Sequence, residues 1–260
     1  MHVLIAGGGI GGLTLALMLH KRGIKATIYE QASSVREIGV GINTLPHAIK
    51  ELAELDMLDV LDATGIRTKE LIYLNRFGQE VWREWRGMWA GAPVPQFSIH
   101  RGRFQKVLYD AVIERLGAKA VKTGRRLAGF TQSEGGVTVQ FVDASDGLGS
   151  ETVRGDILIA ADGIHSAARK IFYPGEGAPS WDGVLMWRGA TEFPQYLDGQ
   201  TMFIGGGMGA KFVLYPIGEA GEGKRLTNWV VNVRVADGAT QPPPKDSCRI
   251  ATTDGSLRTI

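Results

Sequence analysis

Four consecutive apolar residues, Val3-Leu4-Ile5-Ala6, open the chain, the pattern of a parallel strand buried on both faces. Leu13, Leu17 and Leu19 then predict a helix over 10–22, with Lys21 and Arg22 in its last turn and Gly23 as its stop. A second strand follows at 26–29, and a glycine-containing connection without periodicity occupies 36–43. Pro46 opens a helix with Ala48, Leu52 and Leu55 on one face, and a short turn through Leu58 and Leu61 runs to Gly65. Residues 71–74, the turn 75–78 and Val81-Trp82 read as a hairpin. Phe104, Val107, Leu108, Ala111 and Leu116 predict a helix over 102–116.

Strands are predicted at 121–130 and 137–141, where Val137, Val139 and Phe141 alternate with Thr138 and Gln140 in the manner of a half-exposed sheet. A turn at 146–149 leads to the apolar run Ile157-Leu158-Ile159-Ala160-Ala161, ending in Asp162-Gly163, and Ser166 can cap the helix that follows. Four runs at 184–188, 201–204, 211–215 and 228–235 describe an antiparallel sheet. The expected fold class is α/β, with a nucleotide-binding domain at 1–69 and 98–178 interleaved with a sheet domain at 70–97 and 179–235. Residues 236–260, with Pro242-Pro243-Pro244, read as an irregular tail.

Gly7, Gly9 and Gly12 give G-x-G-x-x-G between the first strand and the first helix, the arrangement of a dinucleotide-binding βαβ unit. Gly7 allows the turn off the strand, Gly9 lets backbone approach a pyrophosphate, and Gly12 lets the helix press onto the sheet. Glu30, at the end of the second strand, can accept two hydrogen bonds from an adenosine ribose. An acid there suits an unphosphorylated ribose, hence FAD or NAD rather than NADP. Arg101, at a helix entrance, is either a partner for a phosphate or ribityl oxygen or a surface arginine. The run 205–209 is glycine-rich but lacks the Gly-Lys-Ser/Thr of a phosphate loop, and reads as a turn. All six tryptophans lie within 82–89 and 181–229; the two windows either meet in one aromatic-rich sheet or separately fill cores.

Composition narrows this little. The 260 residues are 44% hydrophobic with 36 glycines, an ordinary globular balance. A net charge of +2 without a long basic run does not indicate a nucleic-acid partner. The single Cys248 suits a reducing, cytoplasmic setting, and no apolar run is long enough to span a bilayer. No secretory cleavage site follows the first apolar segment. No metal-ligating pattern is present.

Three segments together resemble the FAD-dependent aromatic-ring monooxygenases of the p-hydroxybenzoate hydroxylase type. They are the Gly7–Gly12 loop with Glu30, the arginine-led helix at Arg101, and the stretch 155–169 carrying Asp162-Gly163-Ile164-His165-Ser166. The resemblance covers about residues 1–235. Further segments at 39–43, 98–102, 186–189 and 228–230 resemble the family's phenazine-hydroxylating branch.

The resemblance implies a Rossmann-type FAD-binding domain with an interleaved antiparallel-sheet substrate domain. Gly7, Gly9, Ile10, Gly11 and Gly12 would hold the FAD pyrophosphate, Glu30 and Gln31 the adenosine ribose, and the backbone near Leu127 the adenine edge. Val40 and Gly41 would lie along the flavin, Arg101 would contact the pyrophosphate or ribityl chain, and Asp162 and Gly163 would support FAD and the passage of NADH or NADPH. Trp187, Arg188 and Tyr215 would roof a pocket for a small aromatic substrate. The implied chemistry is reduction of flavin by NAD(P)H, addition of O2 to form a C4a-hydroperoxyflavin, and oxygen transfer to the ring. No catalytic base is named; His47, His100 and His165 are candidates by residue type alone.

The family's second FAD motif, Gly-Asp-Ala-Ala-His, has no counterpart here, and 245–249 does not resemble its surroundings. The expectation is a chain truncated at its C-terminus. That leaves a catalytically inactive flavin-binding fragment or partner subunit as the alternative to an active monooxygenase. An NAD-dependent dehydrogenase is disfavoured by the Asp162-Gly163 segment and by the lack of an acid/base pair. A flavin halogenase is disfavoured by the lack of the expected tryptophan pairs.

Overall fold

The structure is a computed structural model, and it describes residues 1–35, 37, 39–177, 180–236, 249–251 and 257–259. From the N-terminus come β1 (His2–Ala6), α1 (Ile10–Lys21), β2 (Lys25–Tyr29), β3 (Gly41–Thr44), α2 (Pro46–Glu54), α3 (Leu58–Thr64) and β4 (Ile66–Arg67). The middle supplies β5 (Glu70–Leu74), β6 (Glu80–Trp85), β7 (Phe97–His100), α4 (Arg101–Leu116), β8 (Val121–Lys122), β9 (Arg125–Ser133), β10 (Gly136–Asp143), β11 (Glu151–Gly155), β12 (Ile157–Ala160) and α5 (Ala167–Phe172). Then follow β13 (Val184–Pro194), β14 (Thr201–Gly206), β15 (Ala210–Glu219), β16 (Lys224–Arg234), β17 (Arg249–Ala251) and β18 (Leu257–Thr259).

These elements divide into two units. The first comprises Met1–Gly39, Glu51–Leu61 and Arg101–Gly177; the second comprises Val40–Lys50, Asp62–His100 and Ala178–Ile260. The division departs from the sequence boundaries at 40–50, 62–69 and 98–100. The cause is backbone pairing: β3 and β4 both hydrogen-bond antiparallel to β7, which puts all three in the second unit. Residues 41–43, expected as part of a loop, therefore belong to the strand Gly41–Thr44, whose pairing no local pattern announces.

In the first unit a four-stranded parallel sheet runs β12-β1-β2-β8. The expected strand over 121–130 is split, because Gly124 takes φ +68° and turns the chain out of the parallel sheet into β9. β9, β10 and β11 form a second, antiparallel sheet. Alternation within β1 and β2 decides what each face meets. Leu4, Ala6 and Tyr29 pack with Leu127, Val137, Val139 and Phe141 of the antiparallel sheet, and Tyr29 stacks on Phe141 with centroids 3.8 Å apart. On the opposite face, α1 sits against Ile5, and α4 packs on α1.

The second unit is built on a six-stranded sheet, β13-β16-β15-β14-β5-β6. It is mixed rather than wholly antiparallel, because β5 and β14 run parallel. Both tryptophan windows contribute to this one sheet, Trp82 and Trp85 on edge strand β6, Trp187 and Trp229 on β13 and β16. Gly205 and Gly206 end β14, and 207–209 make the turn expected from the sequence. Of the tail 236–260, β17 and β18 pair antiparallel, and the remainder from 237 lies outside the described residues.

Gly12 is the position where the fold tolerates least. A Cβ there would stand 2.0 Å from the carbonyl oxygen of Gly7, which is backbone and cannot step aside. Gly12→Ala should cost about 1–3 kcal/mol as an overpacking change, read as a lower urea midpoint. An unchanged midpoint would show that the turn has slack.

Candidate functional site

β1 ends at Ala6, and Gly7 turns the chain with φ +108°, its N–H donating to the Tyr29 carbonyl at 2.8 Å. A Cβ on Gly7 would lie 2.2 Å from the Ala161 carbonyl oxygen. Gly7 and Gly12 are thus required by the chain's own packing. Gly9 and Gly11 are not: neither has a positive φ, and a Cβ at either would meet nothing within 4 Å. Gly9 is the N-cap of α1, with no side-chain cap and no acidic residue in the first turn. The start of α1 therefore keeps its unpaired N–H groups and positive dipole end, on bare backbone.

Glu30 is fixed against this loop. Its Oε2 accepts from the Gly8 N–H at 2.6 Å and its Oε1 from the Ala32 N–H at 2.7 Å. From the other side, Gln105 Nε2 donates to the Gly8 carbonyl at 2.9 Å. A cavity of about 370 Å³ opens beside them, lined by Glu30, Ala32, Ser33, Ser34, Val35, Arg101 and Gln105. Arg101 is the first residue of α4, and a Cβ on Gly39 (φ +133°) would lie 2.9 Å from its Nε, so Gly39 makes room for the guanidinium. Gln31 is exposed and does not line the cavity, and Leu127 is a buried core residue whose side chain is spent on Phe141 and Val139.

Asp162 follows β12, beside the glycine loop: its backbone N would be 3.1 Å from a Cβ on Gly7. Its Oδ2 accepts from the N–H groups of Ala167 and Ala168 at 2.7 and 3.2 Å, Gly163 turns with φ +77°, and Ser166 Oγ accepts from the Arg169 N–H at 2.9 Å. Asp162 and Ser166 together cap α5. The structure thus gathers Gly7–Gly12, Glu30 and Asp162 at the carboxyl ends of neighbouring parallel strands, where open α/β sheets bind ligands.

Gln105, Gly39, Ser33 and Ser34 escaped sequence reasoning. Only Gln105 left a signal, standing four residues after Arg101 and hence on the same helix face.

In the second unit the Gly41 N–H donates to Asn228 Oδ1 at 2.7 Å, and a Cβ on Gly41 would lie 2.6 Å from Tyr215 Cε2. Val40 precedes it at the start of the same unit. Asn228 is fully buried and Tyr215 is 5% exposed. Burial pushes the Tyr215 phenol up to about 12, and the positive charge of Arg188 acts in the opposite direction. Strand register corrects one expectation. Arg188 pairs with Val230, which pairs with Val213, so Arg188, Asn228 and Tyr215 share one face of the sheet. Trp187 points to the other face with Val231 and Phe212, and cannot line a pocket with Arg188 and Tyr215. His47 and His165 are exposed, and His100 ends β7.

Residues 1–179 match the family described as FAD binding domain. The phenazine 1,6-dicarboxylic acid hydroxylase PhzS of Lysobacter antibioticus is 41% identical over 235 residues, which are 89% of this chain and 58% of that protein. The aurachin C monooxygenase/isomerase of Stigmatella aurantiaca is 31% identical, over 94% of this chain and 60% of its own length. Among solved structures, HpxO of Klebsiella pneumoniae, complexed with FAD and uric acid, superposes with a TM-score of 0.75 at 26% identity, covering 95% of this chain and 59% of HpxO. The chain therefore spans about three-fifths of the length of the curated relatives it matches. By the match across its first 179 residues, the chain belongs to the family described as FAD binding domain.

Proposed function

We propose that the first unit binds the adenosine and pyrophosphate of FAD, and that the protein is an NAD(P)H-consuming, cytoplasmic monooxygenase of a small aromatic or phenazine-like ring. The contrast among the loop glycines carries the reading. Gly7 and Gly12 satisfy the fold, whereas Gly9 and Gly11 leave open backbone that none of the described residues fills. That is the space a phosphate needs at a helix N-terminus.

The remaining residues fit the same group. Each carboxylate oxygen of Glu30 is used once by a backbone N–H and retains a lone pair for a ribose hydroxyl. The guanidinium of Arg101 and the amide of Gln105 stand at the wall of the cavity, where they can meet phosphate or ribityl oxygens. Bound there, FAD supplies the redox chemistry, taking electrons from NAD(P)H and with O2 delivering one oxygen atom to the ring.

The chain's own part is binding and orientation. Glu30 reaches a ligand already locked to the loop it must serve, so little side-chain entropy remains to be lost on binding. In the second unit Tyr215 stays neutral at physiological pH and can donate a hydrogen bond to an oxygen on the ring. Arg188, on the same face, favours a ring bearing a carboxylate or phenolate.

Gly9→Ala should weaken FAD binding at least tenfold in a flavin-fluorescence titration and leave the urea midpoint unchanged. Undiminished affinity would remove the argument from bare backbone. A second outcome concerns pH. The folded Tyr215 phenol titrates near 12 and an unfolded one near 10, so the folded state holds its proton longer. Stability contributed by this residue is complete below about pH 10 and declines toward pH 12, by about 2 kcal/mol. Tyr215→Phe should flatten that part of the stability profile and remove one late-titrating phenol from the ultraviolet titration. A profile identical to the wild type would show the phenol to be solvated.

A further inference from the structure

Asn228 lies on β16, between β13 and β15, and spends only half of its amide on the fold. The Oδ1 accepts from the Gly41 N–H, which fixes the way the amide faces, since its oxygen alone accepts. The Nδ2 is buried and has no hydrogen-bond partner among the described residues. A donor left unmet where water is excluded is costly, and native proteins keep few of them. Holding β3 explains the oxygen and leaves the nitrogen without a task. Register places this spare donor among others. Tyr215 stands directly opposite Asn228, and Arg188, two residues before its other partner Ala190, is diagonal to it on the same face. Opposed residues lie about 5 Å apart and diagonal ones about 7–8 Å. Three donors thus converge on one short stretch of a single face, and the guanidinium among them is exposed.

We propose that Asn228 is a specificity-determining residue, its Nδ2 donating to a nitrogen within the ring of a heteroaromatic substrate whose anionic substituent meets Arg188. A ring nitrogen carries one lone pair and no hydrogen, so a single N–H satisfies it completely. A hydroxyl or carboxylate at that buried point would bring further lone pairs or protons with nothing to meet them. The anionic group therefore belongs at the exposed guanidinium and the ring edge at the buried amide. The inference rests on the reading of this face as the ring site, and adds what the ring must carry.

The test is a calorimetric titration of the purified chain with two acids, phenazine-1-carboxylate and anthracene-1-carboxylate, which share the carboxylate and three fused rings and differ in the ring nitrogens. Wild type should bind the phenazine acid about tenfold more tightly, the worth of one neutral hydrogen bond. Asn228→Asp keeps an acceptor for Gly41 and removes the donor, so the ratio should fall to about one. The charge it introduces acts on both carboxylates alike and cancels from the ratio. Arg188→Gln should weaken both acids and leave the ratio as it was. A second measurement uses wild type alone: the side-chain amide nitrogen of Asn228 should shift downfield in the nuclear magnetic resonance spectrum with the phenazine acid and stay in place with the anthracene acid. Equal affinity of wild type for the two acids, a ratio untouched by Asn228→Asp, or an amide nitrogen that stays in place with both would overturn the inference and leave the ring site standing. Failure of both acids to bind would overturn the reading of the face itself, and the inference with it.

Discussion

Everything in the first unit hangs on one backbone contact, the Gly7 carbonyl seated against Gly12 where a side chain would stand. That contact fixes how closely α1 approaches β1, and so aims the start of the helix along the carboxyl end of the sheet. With the helix so placed, the Gly8 N–H reaches Glu30 and the Gly8 carbonyl reaches Gln105. Gly7 in turn abuts the Ala161 carbonyl, which ties the loop to the Asp162 turn more than 150 residues further along. A meeting point of such distant pieces must be rigid to hold them in register, and glycine-to-backbone contact provides that because no side chain can rearrange there.

The second unit uses the same device at Gly41. Absence of a Cβ lets Tyr215 and Asn228 close on the β3 backbone, and Asn228 takes its N–H. Asn228 is wholly buried, so its amide holds β3 in place by a hydrogen bond that water cannot replace. The same burial raises the pKa of Tyr215 beside it, and that face of the sheet presents its phenol near the charge of Arg188.

What the sequence disclosed and what it withheld divide by the range of the interactions involved. β1, α1 and β2 were legible because apolar periodicity, glycine spacing and a terminal acid all lie within thirty residues. Glu30 and the cap at Ser166 were legible for the same reason. β3 was not, because Gly41–Thr44 is a strand only through pairing with Phe97–His100 more than fifty residues away. Nor was the parallel pairing of β5 with β14, which a run of strands with short turns does not foretell. Trp187 and Arg188 were grouped by what the family resemblance implies, yet neighbours on a strand face opposite ways. Gly39 makes room for Arg101 by a contact visible only in three dimensions.

The most direct measurement is a pair of binding titrations on the purified chain, FAD against FMN, followed by flavin fluorescence. On the proposed reading, Gly9, Gly11, Glu30 and Arg101 would hold adenosine and pyrophosphate, which FMN lacks. The account predicts saturable binding of FAD at least a hundredfold tighter than that of FMN. Equal affinity for the two, or no saturable binding of FAD, would contradict it.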